Sequence, residues 1–119
     1  MLLIVGCGGP PKPPEGVDAS LARTSLERVL NAWKEKSKPD ALRQDSAAPI
    51  HAADEDWIMG YELVRYEISA DAPQPIGSAS LRYEVQLELK SPQGQRVDRK
   101  AKYLVSTSPS VSVVRAESN

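Results

Sequence analysis

The clearest pattern in the chain is a strict alternation of apolar and polar residues over positions 81–90. The apolar members are Leu81, Tyr83, Val85, Leu87 and Leu89, and every residue between them is polar or charged. A two-residue repeat is typical of a β-strand with one face in the core and one face in water. Turn-forming residues follow at 91–95, and a second apolar alternation, interrupted by Arg99, runs from Val97 to Val105. The pattern predicts a β-hairpin.

Charge predicts the register of this hairpin. Pairing Glu88 with Lys100 and Lys90 with Asp98 joins opposite charges, whereas a slip of two residues places Glu88 against Asp98. Like charges that face each other directly destabilise a strand pair by a few tenths to about 1 kcal/mol. We therefore expect Glu88 to lie opposite Lys100.

The N-terminal half has a different period, with apolar residues at steps of three and four from Asp18 to Lys36. This repeat predicts an amphipathic helix that buries one face, made of Leu21, Ala22, Leu26, Val29, Leu30 and Trp33. Asp18 or Ser20 is the expected N-cap, and lysines crowd the expected C-terminus. Pro39 ends this helix and predicts a short second one from Pro39 to Gln44, because proline is favoured at the first helical position.

The remaining segments read as strands and loops. A strand is expected from Tyr61 to Ser69, with Val64, Tyr66 and Ile68 on one face and Leu63 on the other, after a bend at Gly60. Another strand is expected from Val111 to Ala116, and loops are expected at 45–53 and 70–79. The predicted fold is α+β, with the N-terminal helix and the short second helix packed on a four-stranded antiparallel sheet.

This order of elements, over residues 18–116, resembles the cystatin-like folds and a shortened nuclear-transport-factor-2-like fold. The resemblance lies in topology alone, and it includes small envelope lipoproteins of unassigned role. Enzymes with the second of these folds place acidic or histidine side chains inside the cone, whereas the predicted apolar face here offers only Arg99. The resemblance therefore favours a domain that binds rather than catalyses.

The N-terminus carries the most specific motif. Leu3-Ile4-Val5-Gly6-Cys7 resembles the lipobox of bacterial lipoproteins, and Cys7 is the only cysteine. The resemblance implies that residues 1–6 are part of a signal peptide and that the Cys7 sulfur carries a diacylglycerol. Because a signal peptide has a basic start and an apolar region of roughly 7–15 residues, we expect the natural start to lie upstream. Residues 7–17, rich in Gly and Pro, would then tether a single domain at 18–119.

Composition excludes several classes of function. The 15 basic and 16 acidic residues give a net charge of -1 without a basic block, so nucleic acid is not an expected partner. No apolar run approaches the roughly 20 residues of a membrane-spanning helix. No glycine-rich phosphate loop or cluster of metal ligands appears, so no cofactor is predicted. The expected partners are the membrane, through Cys7, and a protein or small ligand.

Candidate chemistry is sparse. Asp54 and Asp56, on either side of Glu55, could bind a cation or supply a general base, but their spacing differs from a calcium loop and a solvated acidic loop is the simpler interpretation. His51 is the only histidine and lacks an evident nucleophile or orienting partner.

Aromatic residues suggest a pocket at one end of the domain. Trp57, Tyr61 and Tyr66 could line its mouth, although a chain without Phe needs such residues in its core. The leading hypothesis is a lipid-anchored envelope protein with a small non-catalytic binding domain. One alternative is a small enzyme or ligand-binding domain that uses Asp54, Asp56, His51 and Tyr61. Another is an assembly role, in which an edge strand such as Val111 to Ala116 pairs with a partner sheet.

Overall fold

A single curled sheet of six strands carries a long N-terminal helix across its apolar face. The computed structural model describes residues 16–116, and Cys7 lies outside them. The elements are α1 (Ala19–Lys34), α2 (Pro39–Arg43), β1 (Ile50–Ala53), α3 (Glu55–Ile58), β2 (Glu62–Ile68), β3 (Gln74–Ile76), β4 (Ser80–Lys90), β5 (Arg96–Ser106) and β6 (Val111–Ala116). The strand order is β1-β6-β5-β4-β2, and β3 also pairs with β4. The predicted α+β class is confirmed.

The sheet differs from the predicted one in its strand count and in one direction. Four strands were expected from the alternating segments, but β1 and β3 lie inside the two segments that were expected to be loops. The β1–β6 pair is parallel, so the sheet is mixed rather than antiparallel. Both missed strands have three or four residues, which is too short for an alternation to show, and each forms because a longer neighbour supplies its hydrogen bonds.

Helix α1 follows its predicted stripe closely. Asp18 is the N-cap, and its carboxylate accepts a hydrogen bond from the Leu21 backbone N–H at 3.0 Å. The apolar stripe is buried against the sheet except for Leu21, which is 41% exposed. The helix ends two residues before the expected position, because Lys36 adopts a positive φ of 65°. This left-handed residue lets the Ser37 N–H bond the Ala32 carbonyl at 2.9 Å and closes the helix end.

The predicted register of the β4–β5 hairpin is wrong. Glu88 lies opposite Asp98, and Lys90 lies opposite Arg96. The turn sets this alignment, because the Ser91 N–H bonds the Gln95 carbonyl at 2.8 Å. Arginine side chains offset the repulsion between these two opposed carboxylates.

These arginines come from two strands. Arg65 on β2 approaches Glu88 at 2.7 Å, and Arg96 approaches the same carboxylate at 3.5 Å. The hydrogen bond from Arg65 lowers the pKa of Glu88. Charge on this face is therefore balanced across three strands, which a comparison of two strands does not capture.

Strand β2 contains a bulge that the sequence pattern did not show. The register shifts between Leu63 and Arg65, and Val64 between them is 48% exposed. The extra residue places Leu63 in the core together with the partly buried Tyr66 and Ile68, so the predicted assignment of faces is corrected. The bend expected at Gly60 does occur, with a φ of 96° just before the strand.

The core lies between α1 and the inner faces of the sheet. Its largest fully buried side chains include Tyr103, Leu26, Leu30 and Leu87. None of the helices within residues 16–116 has the length and apolarity that a bilayer crossing requires. Strand β6 lies between β1 and β5, so Val111 to Ala116 is not the edge strand that was expected.

Candidate functional site

The acidic segment forms a tight corner between β1 and β2. Asp54 follows the last residue of β1 and caps α3, because its carboxylate accepts hydrogen bonds from the N–H groups of Asp56 at 2.9 Å and Trp57 at 3.4 Å. The parallel register places Ala53 opposite Val114, so Asp54 comes next to Arg115 of β6. A strand that was expected to be a loop therefore positions the acidic residues.

The corner holds a set of polar and charged side chains that we call the ion cluster, defined as Asp54, Asp56, Arg99, Tyr103 and Arg115, of which Arg99 is partly exposed. Arg115 Nη1 lies 3.0 Å from Asp54 Oδ1 and 3.1 Å from Asp56 Oδ2. Arg99 Nε lies 2.9 Å from the same Asp56 oxygen, and the Tyr103 hydroxyl donates a short hydrogen bond to Asp54 Oδ2. The cluster holds two acidic and two basic groups, so its formal charges cancel.

Burial and neighbouring charges shift the pKa values of two members of the cluster, Tyr103 and Arg115. Burial raises the pKa of the Tyr103 hydroxyl, and the adjacent Asp54 carboxylate raises it further. For Arg115, burial acts to lower the pKa, but the pKa is raised overall, and the carboxylates of Asp54 and Asp56 are among the causes. Tyr103 is therefore neutral and Arg115 charged in the folded protein.

The ion cluster is built to hold structure rather than to move protons. Both oxygens of Asp54 accept hydrogen bonds, so this carboxylate is not free to take a proton from a substrate. Asp56 Oδ2 contacts both arginines, although none of these contacts to Asp56 has the angle of a good hydrogen bond. The expected solvated acidic loop is thus corrected, since only Glu55 of the three acids is exposed.

Of the two other residues of the enzyme hypothesis, Tyr61 lies beside the ion cluster, whereas His51 faces solvent. His51 is exposed on β1, whereas its neighbours Ile50 and Ala52 face the core. Tyr61 is partly buried, and the Arg99 guanidinium lies 5.5 Å from the centre of its ring. No group of three His, Cys, Asp or Glu side chains within residues 16–116 could hold a metal ion.

Trp57 has the structural role that the simpler interpretation assigned to it. Its ring stacks on Trp33 with centroids 5.8 Å apart. The Trp57 indole N–H donates to the Ser37 carbonyl at 3.0 Å, and the Trp33 indole N–H donates to the Tyr61 carbonyl at 2.8 Å. The paired indoles connect α1, α3 and the start of β2. Both are buried, so neither offers a free ring face to a ligand.

An open groove of about 530 Å³ lies above these indoles, between the end of α1, α2 and the corner. Of the three aromatic residues suggested for a pocket, Trp57 and Tyr61 line this groove and Tyr66 does not. The Tyr66 hydroxyl instead donates to Asn31 Oδ1 at 3.0 Å, elsewhere along α1. The charged residues of the groove are Lys36, Lys38, Asp40, Arg43 and Glu62.

Two apolar side chains beside the groove were missed by the sequence interpretation. Ile58 is 71% exposed and lines the groove, and Met59, the next residue, is 69% exposed. A signal was available, because three apolar residues in a row, Trp57 to Met59, cannot all face the core from one short helix. A groove of about 600 Å³ on the polar face of the sheet is lined largely by mutually paired charges, such as Glu88 and Arg65.

No family model, curated protein or solved structure matches the chain. The features of the molecule that bear on function are the groove, the exposed apolar pair and the ion cluster that supports them.

Proposed function

We propose that the protein is a lipoprotein of the bacterial cell envelope, anchored to a membrane through Cys7, and that its domain is a non-catalytic interaction module. The groove beside Trp57 and Tyr61 is the proposed interaction surface. A cystatin-like or shortened nuclear-transport-factor-2-like arrangement remains the proposed finer class of the α+β fold. The Cys7 motif and the following Gly- and Pro-rich residues support the anchor.

The observation that supports the proposed interaction surface is the exposed pair Ile58 and Met59 at the groove. Large apolar side chains that lie exposed next to each other commonly mark contact sites. The corner that carries them is fixed by the buried ion cluster, so little conformational freedom would be lost on binding. The nearby carboxylates are already occupied by arginines, and this favours binding over acid–base catalysis at the same corner.

The anchor is tested by labelling cells that express the full natural gene with radioactive palmitate. We expect label in the wild-type protein and none in a Cys7→Ser variant, because the thioether to the diacylglycerol requires the cysteine sulfur. Equal label in both, or none in the wild type, contradicts the anchor.

The proposed interaction surface is tested by placing a photo-crosslinking amino acid at position 58 of the anchored protein in cells. The matched control carries the same amino acid at position 100, because Lys100 is exposed on the polar face of β5. We expect a discrete crosslinked species at position 58 only. Crosslinking that is absent or equal at the two positions contradicts an interaction surface at the groove.

A further inference from the structure

The pair Ile58 and Met59, which we call the apolar tip, is fixed in place by its backbone. The Ile58 N–H bonds the Asp54 carbonyl at 3.0 Å, and the Met59 N–H bonds the Glu55 carbonyl at 2.9 Å. The Tyr61 N–H then returns to the Asp56 carbonyl at 3.0 Å. No other large apolar side chain within residues 16–116 is more than 48% exposed. The tip is therefore a rigid apolar projection immediately beside a groove.

The charges of the groove decide what kind of surface it matches. Three cations and two anions line it, and they are interspersed rather than segregated. Lys36 lies 3.8 Å from Glu62, and Arg43 lies 3.6 Å from Asp40. A nearly neutral mixture gives little attraction for a nucleic acid or an anionic lipid surface. It suits a partner surface that also carries both signs.

We propose that the occupant is a second copy of this chain, related by a two-fold axis that places the apolar tip of each copy in the groove of the other. In such an isologous contact one patch must complement itself. A projection beside a groove is complementary to itself in shape. Cations beside anions are complementary to themselves in charge, since Lys36 or Lys38 of one copy can face Asp40 or Glu62 of the other. The inference rests on the proposed interaction function of the groove and not on the lipid anchor.

Anchoring would strengthen the contact. Copies tethered to one membrane are confined to a thin layer, which raises their effective concentration, as a short linker does, toward the millimolar range.

The experiment uses the full chain with Cys7→Ser, so that neither lipid nor thiol contributes. Sedimentation equilibrium is measured from about 1 μM to 1 mM, the range in which weak contacts between tethered copies operate. We expect a monomer–dimer equilibrium. Ile58→Lys or Met59→Lys should weaken it at least about tenfold, and lysine suits the C-terminal end of a helix, so the monomer should stay folded. Val64→Lys, on the β2 bulge, is the matched control and should leave the equilibrium unchanged.

Crosslinking locates the contact without altering the groove. A photo-crosslinking amino acid at position 58 is placed in a mixture of copies with heavy and normal nitrogen, and peptides containing both isotopes report contacts between copies. We expect such peptides to join position 58 to residues 36–43. Mixed peptides that map to the polar face of the sheet overturn the proposal, as does a chain that stays monomeric at the highest concentration.

Two further outcomes separate this inference from the proposed function. If position 58 crosslinks in cells to a different protein while the purified chain remains monomeric, the groove is an interaction surface and the second copy is not its occupant. If the monomer binds vesicles of phosphatidylcholine and phosphatidylglycerol and Ile58→Lys alters this binding, a lipid surface replaces the second copy.

Discussion

Two sets of arginine and acidic side chains on this sheet have similar distances and opposite surroundings. On the polar face, Arg65 and Arg96 approach Glu88 at 2.7 and 3.5 Å, and these arginine side chains are 74% and 67% exposed. In the ion cluster, Arg115 approaches Asp54 at 3.0 Å, and their side chains are 5% and 2% exposed. Exposed pairs are screened by water and contribute little, whereas a buried charge that loses its partner has no solvent to replace it. Burial rather than distance therefore decides which of the two sets contributes more to stability.

The two sets also differ in what they hold. The exposed set balances charge across β2, β4 and β5, whose hydrogen bonds already fix the strands. The ion cluster instead secures α3, which has only four residues and would be unstable alone. The apolar tip is carried by this helix, so the proposed interaction surface depends on buried charges.

The sharpest test of this difference is Arg115→Ala. It leaves the carboxylates of Asp54 and Asp56 buried without their shared guanidinium, and we expect a loss of about 3–5 kcal/mol in the free energy of unfolding. Urea unfolding followed by tryptophan fluorescence measures it, since Trp33 and Trp57 are both buried near the corner. A loss below about 1 kcal/mol, the range of exposed pairs, would remove the distinction between the two sets.

Asp54→Asn separates charge from helix capping. Asparagine caps helices as well as aspartate does, so the cap remains while the partner charge of Arg115 is lost. Asp56 still faces Arg115 at 3.1 Å, and we expect a loss of about 1–3 kcal/mol. Asp54→Ala, measured in the same way, should lose roughly 1 kcal/mol more, because it also removes the cap. Equal losses in the two variants would mean that the cap contributes nothing.

The substitution Lys36→Gly compares the contribution of an exposed ion pair to stability with the cost of a strained backbone. The substitution removes the 3.8 Å contact with Glu62 but relieves a positive φ that glycine adopts freely. We expect a net gain of about 0.5–1 kcal/mol in stability, because the strained backbone outweighs the exposed pair. Lys36→Ala is the control, since it loses the pair and keeps the strain. Destabilisation by Lys36→Gly would show that the exposed ion pair contributes more to stability than the strained backbone costs.

The smallest effect is expected from Glu88→Gln, and it appears as a pH dependence. The pKa of Glu88 is lowered in the folded state, so its contribution is fully present above the ordinary value of 4.5. The contribution is lost as the pH falls through the lower folded pKa. The free energy of unfolding, measured between pH 7 and pH 3, should therefore fall less steeply with decreasing pH for Glu88→Gln than for the wild type. Added salt should reduce the difference. Identical slopes would indicate that Arg65 and Arg96 do not hold the carboxylate in solution.

The sequence predicted the elements that local patterns define. The buried stripe of α1 and the apolar faces of β4 and β5 follow from periodicity, because each is long enough to show its repeat. The register of the hairpin was mispredicted because the turn and Arg65 decide it, and Arg65 lies on a third strand. Strand β1 and the ion cluster were missed because both depend on β6, which is distant in the sequence. The pocket suggested for Trp57, Tyr61 and Tyr66 and the lipid anchor at Cys7 stay predictions.

The parallel pairing of β1 with β6 has a consequence for the order of folding. Residues 50–53 obtain their partners from residues 111–114, whereas the β4–β5 hairpin closes over a five-residue turn. Contacts between distant segments form late, because the entropy of closing a long loop opposes them. We therefore expect the hairpin to form before β6 pairs with β1 at the corner. The corner that carries the apolar tip is therefore expected to become rigid late in folding, after the hairpin on the other side of the sheet has formed.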